Sequence, residues 1–387
     1  MNWMFRSLLI LPFAGCLFLS SCGGKFFPDE NHSGGGGNTT SGDYLYIANI
    51  STNPLTLAAF NITSSGVASL SGSPYNFGLV TPSALAITPQ NSFLFVGSID
   101  GGIYGYSINS NGSLSILNSG NPLVTGILPS ALKVDTTGNW LIAAQGVAGT
   151  NASAYLFAIN TSTGALTAQG NALTLDVGTP VRIAVTPNNQ LVYISLGTGG
   201  VDILNFSASA GTLSLFQNLH PKNSSNADYG LAVDPSGTYL FVTETGTVVN
   251  GTNGLRVLKI AANGALSELS TSPVQTDLGP MAVIVSSNGS YVYVATNSGV
   301  VDGFALSANG ALTSLPNSPY TTGTNPSDLI EDSSDTYIAV VCSGGSPDLQ
   351  VFKIDTTAAT AGQLISFATA STASTSPAGA YRVVATQ

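Results

Sequence analysis

Charge is what this chain has least of. Of 387 residues, 9 are basic, 19 acidic and two are His. The charged share is 7%, against about 25% in an ordinary soluble domain. The shortage of cations, with a net charge of −10 and a pI near 4.3, excludes nucleic acid as a partner, because phosphate binding needs clustered Lys and Arg. Long apolar runs are also missing. After residue 21 none reaches the 18 or more of a membrane-spanning helix, which excludes a polytopic helical membrane protein. No segment repeats apolar residues at helical spacing between helix caps, and the Ala-Glu-Lys-Leu-Arg excess of a coiled coil is absent. Zinc-ligand spacing, a P-loop and a dinucleotide fingerprint are missing too, so neither a metal nor a cofactor is expected. Asp100 and Asp348 stand in tight loops without the acidic density of a calcium site. What is present is a normal apolar share of 43%, 44 Gly, and abundant Ser, Thr and Asn. That share excludes a disordered acidic chain and leaves an all-β chain with many turns.

Cysteine is scarce, and two of the three stand near the N-terminus. Arg6 precedes an apolar stretch from Ser7 to Leu19, the arrangement of a secretory leader. It runs into Leu19-Ser20-Ser21-Cys22, which resembles the bacterial lipobox, where the Cys is lipidated and the chain is cut before it. Phe13-Ala14-Gly15-Cys16 is a weaker match, since cutting there would leave Leu17-Phe18-Leu19 exposed. Residues 1–21 are therefore expected to be a lipoprotein signal, Cys22 the lipidation site, and residues 22–42, with their Gly/Ser-rich stretch, a flexible tether. The expected location is the cell envelope outside the cytoplasm, with the membrane as partner through the lipid. Cys342 then remains alone, with no intramolecular disulfide possible. It lies in the apolar run Tyr337–Cys342 and reads as a buried small hydrophobe.

The rest of the chain repeats. Turns of the Asn/Ser/Thr-Gly type place glycines at 66, 112, 164, 211, 264, 310 and 362, with gaps of 46 to 53 residues. A second landmark, usually Pro opening an apolar strand, falls out of phase at 82, 129, 180, 228, 280, 326 and 377. Both give seven copies. Each reads as four short strands with hairpin turns. In the second copy these are Ala84–Ile87, Phe93–Val96, Ile103–Ile108 and Leu114–Leu117. Asp135-Thr-Thr-Gly138 and Asp234-Pro-Ser-Gly237 read as turn chemistry and not as metal loops.

Seven four-stranded units of this length predict a seven-bladed β-propeller over residues 43–387. Tyr44–Asn49 reads as a second strand with no first strand before it. Pro377–Val384 reads as a first strand with no second strand after it. Pairing the two would close the ring and remove its open edges.

Tyr291-Val-Tyr-Val-Ala-Thr-Asn297 and Tyr44-Leu-Tyr-Ile-Ala-Asn49 resemble the Tyr-Val-x-Asn repeats of bacterial surface propellers. Asn263-Gly-Ala-Leu266, Asn309-Gly-Ala-Leu312, and the later Ser272-Pro273 and Ser318-Pro319, make the whole repeat resemble the lactonase family of seven-bladed propellers, which includes one type of 6-phosphogluconolactonase. The resemblance implies a face carrying His, Arg and Glu. Of that pattern, Glu244 in Val242-Thr-Glu-Thr245 matches, whereas Val181, Tyr229 and Gly230 stand where the family has His, Arg and His.

The first-strand starts and the loops on that face are expected to gather His220, Lys222, Tyr229, Glu244, Gln145, Arg182 and Asp328. For opening a lactone, His220 would serve as base, Glu244 as orienting carboxylate and Arg182 as oxyanion partner. Alternatively, His220 is an exposed loop residue beside Pro221, and Glu244 pairs with a loop backbone group. Tyr229, Lys222, Asp328 and Gln145 are ligand-face candidates. Lys133, Glu331 and Arg382 lie in first strands, and a Glu331–Arg382 pair is expected near the axis. The function expected is an exported, lipid-anchored binding module for a protein, glycan or small lactone. The alternative is lactone hydrolysis. Binding is favoured because the phosphorylated sugar lactone that the resemblance implies is cytosolic, and because Arg182 and Lys222 are the main cations expected near the mouth.

Overall fold

Strands make up nearly all the regular structure of the computed structural model, which describes residues 42–78, 80–246, 254–345, 347–374 and 378–387. The leader, Cys22 and the tether up to residue 41 lie outside the described residues, as does Pro377. One short 3-10 turn, Asn118–Gly120, is the only helical element among them.

The strands form seven antiparallel sheets. Blade 1 takes its innermost strand from the C-terminus, Ala380–Ala385, and continues outward through Asp43–Asn49, Leu55–Thr63 and Gly66–Ser69. Blades 2 to 7 follow in chain order, their innermost strands (A) being Pro82–Ile87, Ala131–Val134, Arg182–Val185, Ala227–Val233, Pro280–Val285 and Pro326–Glu331. Strands B, C and D follow outward in each. Short extra strands, Tyr75–Gly78 and Tyr320–Thr321, pair with strand C of blades 1 and 6. The expected closure is present, with Leu45 opposite Ala385 and Ala48 opposite Arg382.

The core is divided among the seams. Seven apolar clusters each join two neighbouring blades. Strand B packs on both faces, so Phe93–Ser98 and Tyr337–Cys342 are buried along their whole lengths. This explains why such strands are continuously apolar instead of alternating. Tyr46, Phe95, Tyr193, Phe241 and Tyr293 recur at one position of strand B, all fully buried, each contributing roughly 1.5–3 kcal/mol by burial. Cys342 belongs to this layer, and burial pushes its thiol up to about 11.

The turns behave as read. In the connection from strand A to strand B, Asp135 accepts from the backbone N–H groups of Asn139 and Trp140, and Asp332 from those of Thr336 and Tyr337. Asp100 caps Thr81 and Asp348 caps Thr372. Hydroxyls stitch blade to blade near the axis. Ser83, Ser130, Ser195, Thr245 and Ser327 donate to backbone carbonyls of the next blade at 2.5–2.8 Å.

Candidate functional site

The first residues of the seven A strands meet around the axis. Together with the B-to-C loops they enclose a cavity of about 580 Å³. Every blade contributes to its wall, through Ser83, Ser130, Val181, Tyr229, Met281, Ser327 and Tyr381. Most of the remaining wall is apolar, including Pro82, Ile99, Pro180 and Leu196.

The residues that follow Val181, Ser327 and Tyr381 along their strands are charged. Arg182, Asp328 and Arg382 occupy one register position, opposite Ser195, Val341 and Ala48 on their B strands. Arg182 and Asp328 come from blades 4 and 7, on opposite sides of the ring, and pair across the axis at 2.7 Å. Asp328 also accepts from the N–H of Val383 at 3.1 Å. Arg382 lines the cavity and is 6% exposed. Its guanidinium lies 3.9 Å over the Tyr381 ring and donates to the Tyr381 hydroxyl at 2.9 Å and the Val181 carbonyl at 3.4 Å. No carboxylate reaches it within ion-pair distance among the described residues. Burial, then the like charge of Arg182, lowers its pKa to about 10, so it remains a cation at neutral pH. Lys133 stands two residues deeper in register, and desolvation lowers its pKa as well.

The expected Glu331–Arg382 pair does not form. Aligning first strands on Pro377 puts Arg382 at the depth of Glu331, but the strand begins at Ala380 and its ladder is irregular between Ala48 and Asn49. Arg382 therefore stands level with Asp328, and Glu331 lies three residues deeper. The Glu331 carboxylate accepts from the N–H of Ser287 at 2.6 Å, and burial pushes it up to about 7.

A second charged group lies outside the cavity. Arg256, on strand C of blade 5, is 2% exposed. It reaches Glu244 at 3.2 Å, Glu268 at 3.3 Å and Asp228 at 3.5 Å. Glu244 is fully buried and also accepts from the Lys222 N–H at 3.0 Å and the Asn226 amide at 2.5 Å. It thus pairs with a loop backbone group, as the alternative reading has it. The Lys222 ammonium turns to Glu268 at 3.1 Å. Burial drives Asp228 up to about 7 despite Arg256.

The remaining expected residues disperse. His220 is exposed, and its carbonyl accepts from Arg256 at 3.1 Å. Gln145 bridges the Leu128 N–H and the Tyr155 hydroxyl. The structure joins Arg182 to Asp328, and Glu244 to the Lys222 backbone. It gives His220, Glu244 and Arg182 no hydrogen bond or ion pair with one another. Tyr229 lines the cavity; Lys222 does not. The cation on the wall is Arg382, which the sequence reading assigned elsewhere. Arg256, at the centre of the buried cluster, was not singled out, since an Arg within Gly254-Leu-Arg-Val-Leu258 gives no sign of its acidic partners.

Gly230 closes off another part of the expected pattern. A Cβ there would lie 2.8 Å from the Cα of Ala282 in the next blade, so this seam has no space for a His side chain.

Comparison with known proteins fits this picture. No curated protein sequence matches the chain. Among solved structures, a periplasmic gluconolactonase from Pseudomonas aeruginosa is similar at TM-score 0.67 and 15% identity, covering 90% of this chain and 99% of that one. A Bacteroides fragilis protein assigned as a 6-phosphogluconolactonase follows at 0.64 and 20%, covering 85% and 94%. A protein of unknown function from Desulfotomaculum acetoxidans gives 0.64 and 15%, covering 89% and 99%. At these identities the likeness is one of fold. The family model for the lactonase seven-bladed β-propeller matches residues 44–374, and the chain belongs to that family.

Proposed function

We propose that this propeller is a binding module that holds a small organic anion at the mouth of its channel without turning it over. The observation that carries the reading is Arg382, a buried cation on the cavity wall with no carboxylate within ion-pair distance among the described residues. Desolvating a charge that lacks a direct ion pair is costly, and an anion in the cavity would offset that cost. The wall residues include no His, Asp or Glu to act as a base. The expected leader and Cys22 would place the protein on the envelope, outside the cytoplasm. The chain enters the propeller at Asp43, beside Ser333 at the end of the A-to-B turns, away from the mouth.

Lactone hydrolysis is the second reading, favoured by the family. Arg382 has the chemistry to polarise a carbonyl in the cavity. It would need a water activated by a group that the wall does not supply.

The test is thermal unfolding of the full-length protein with a panel of small carboxylates, beside an assay of simple and sugar lactones. The binding reading expects a rise in Tm that Arg382→Gln removes, and no turnover. Lactone turnover lost in both Glu244→Gln and His220→Ala would overturn it.

A further inference from the structure

The wall of the cavity is unsuited to a polyhydroxylated ligand. Sugar hydroxyls need many partners, and a buried hydroxyl left unpaired is costly. The wall contains no Asn, Gln, Asp, Glu or His. Its serine hydroxyls are already committed as donors, Ser83 to Pro129, Ser130 to Pro180 and Ser327 to Ala380. Thr81 donates to Asp100; Thr179, Thr198, Tyr229 and Tyr381 also line the wall, but the surface left to a ligand is mainly apolar, through Pro82, Ile99, Pro180, Val181, Leu196 and Met281.

The rim continues this character. Val147 is 65% exposed, Leu278 52%, and Ile99 and Leu128 51% each. All four stand in B-to-C or D-to-A connections, the loops that surround the mouth. Exposed apolar residues gathered around an apolar cavity mark a surface for an apolar partner.

At the inner end the chemistry reverses. The hydrogen bonds of Arg382 to the Tyr381 carbonyl, the Val181 carbonyl and the Tyr381 hydroxyl use three of the five N–H groups of a guanidinium. Arg382 is the charged residue of the lining; with the Arg182–Asp328 pair beside it there are two positive charges and one negative, so this inner end, the floor, is cationic in a chain of net charge −10.

We propose that the occupant is an amphiphilic monocarboxylate, its carboxylate on Arg382 and its apolar body along Val181, Leu196 and Met281 toward the rim at Ile99. This rests on the binding reading above and narrows it to one ligand class. A fatty-acid-like chain satisfies wall and floor together. A sugar acid satisfies only the floor.

The test is calorimetric titration of the full-length protein with decanoate below its micelle concentration, with decanol and gluconate as comparison probes. Decanoate should bind at least tenfold tighter than either. Arg382→Gln should weaken it at least tenfold. Met281→Glu, at a partly exposed wall position, should do the same with Tm unchanged, and it keeps the test decisive if Arg382→Gln does not fold. Gluconate binding in preference to decanoate, with dependence on Arg382, would overturn this inference and keep the binding reading. Decanol binding as well as decanoate, or decanoate binding indifferent to both substitutions, would overturn the inference. No binding by any probe would overturn both.

Discussion

At the residue scale, three side chains at one register position decide the chemistry of the mouth. Arg182, Asp328 and Arg382 stand level because their partners Ser195, Val341 and Ala48 occupy equivalent positions of their B strands, the fifth counted from Leu191, Tyr337 and Tyr44. That equivalence is present in the sequence, but proline spacing obscures it in the last copy, where the strand starts three residues after Pro377. Asp328 is the acid that pairs with Arg182, and its charge also acts on Arg382 at longer range. Asp328→Asn should lower stability by about 3 kcal/mol, as expected when one partner of a buried pair is lost, and should tighten carboxylate binding at Arg382. Chemical denaturation and the same titration check both outcomes.

Glu331, Asp228 and Asp302 give a second residue-scale prediction. Burial raises Glu331 and Asp228 to about 7 and Asp302 to about 6. The folded chain therefore keeps protons that the unfolded chain has already released. Stability contributed by these groups is full below the ordinary carboxylate range and is lost as pH rises toward 7. Unfolding at pH 5 and pH 8 should show the lower-pH form to be the more stable, and Glu331→Gln should flatten the decline. Unchanged stability across that interval would contradict the assignment.

At the scale of elements, the connection from Leu219 to Ala227 is tied to the buried charge cluster through Glu244, Arg256 and Glu268. Glu244 accepts from the backbone of Lys222 and the side chain of Asn226 while pairing with Arg256. Glu244→Gln should loosen this loop, read as faster hydrogen exchange at the Lys222 amide with the blade-5 strands still protected. Arg256→Met would leave Asp228, Glu244 and Glu268 without their central cation, and should cost about 3 kcal/mol or more. The strands were legible because their apolar runs are short and punctuated by Gly and Asn turns. The cluster was not, because Asp228, Glu244, Arg256 and Glu268 meet only once four strands are stacked. The Glu244 match to the family pattern is real as sequence, yet in this chain its carboxylate serves as a loop latch. Val181 and Tyr229, read from the same pattern as departures, turn out to form the cavity wall.

At the scale of the whole molecule, seven apolar seams and a ring of hydroxyl-to-carbonyl stitches spread stability around the circle. No single blade carries the core, and the period in the sequence was enough to foresee this. The circle depends on one ladder, between Asp43–Asn49 and Ala380–Ala385. Deleting the last eleven residues should leave strand B of blade 1 without its inner neighbour, and should unfold or aggregate the protein. A truncated form with an unchanged melting transition would contradict closure by this strand.

That ladder also sets the order of events during synthesis. Its two halves are far apart in sequence, so the ring cannot lock until Ala380–Ala385 has been made. A chain stalled anywhere before Ala380 presents two unpaired sheet edges and an unsealed axis. Closure is thus a check on completeness: only a finished chain hides its edges, and the cell's proteases and chaperones are left a plain mark by which to recognise an unfinished one.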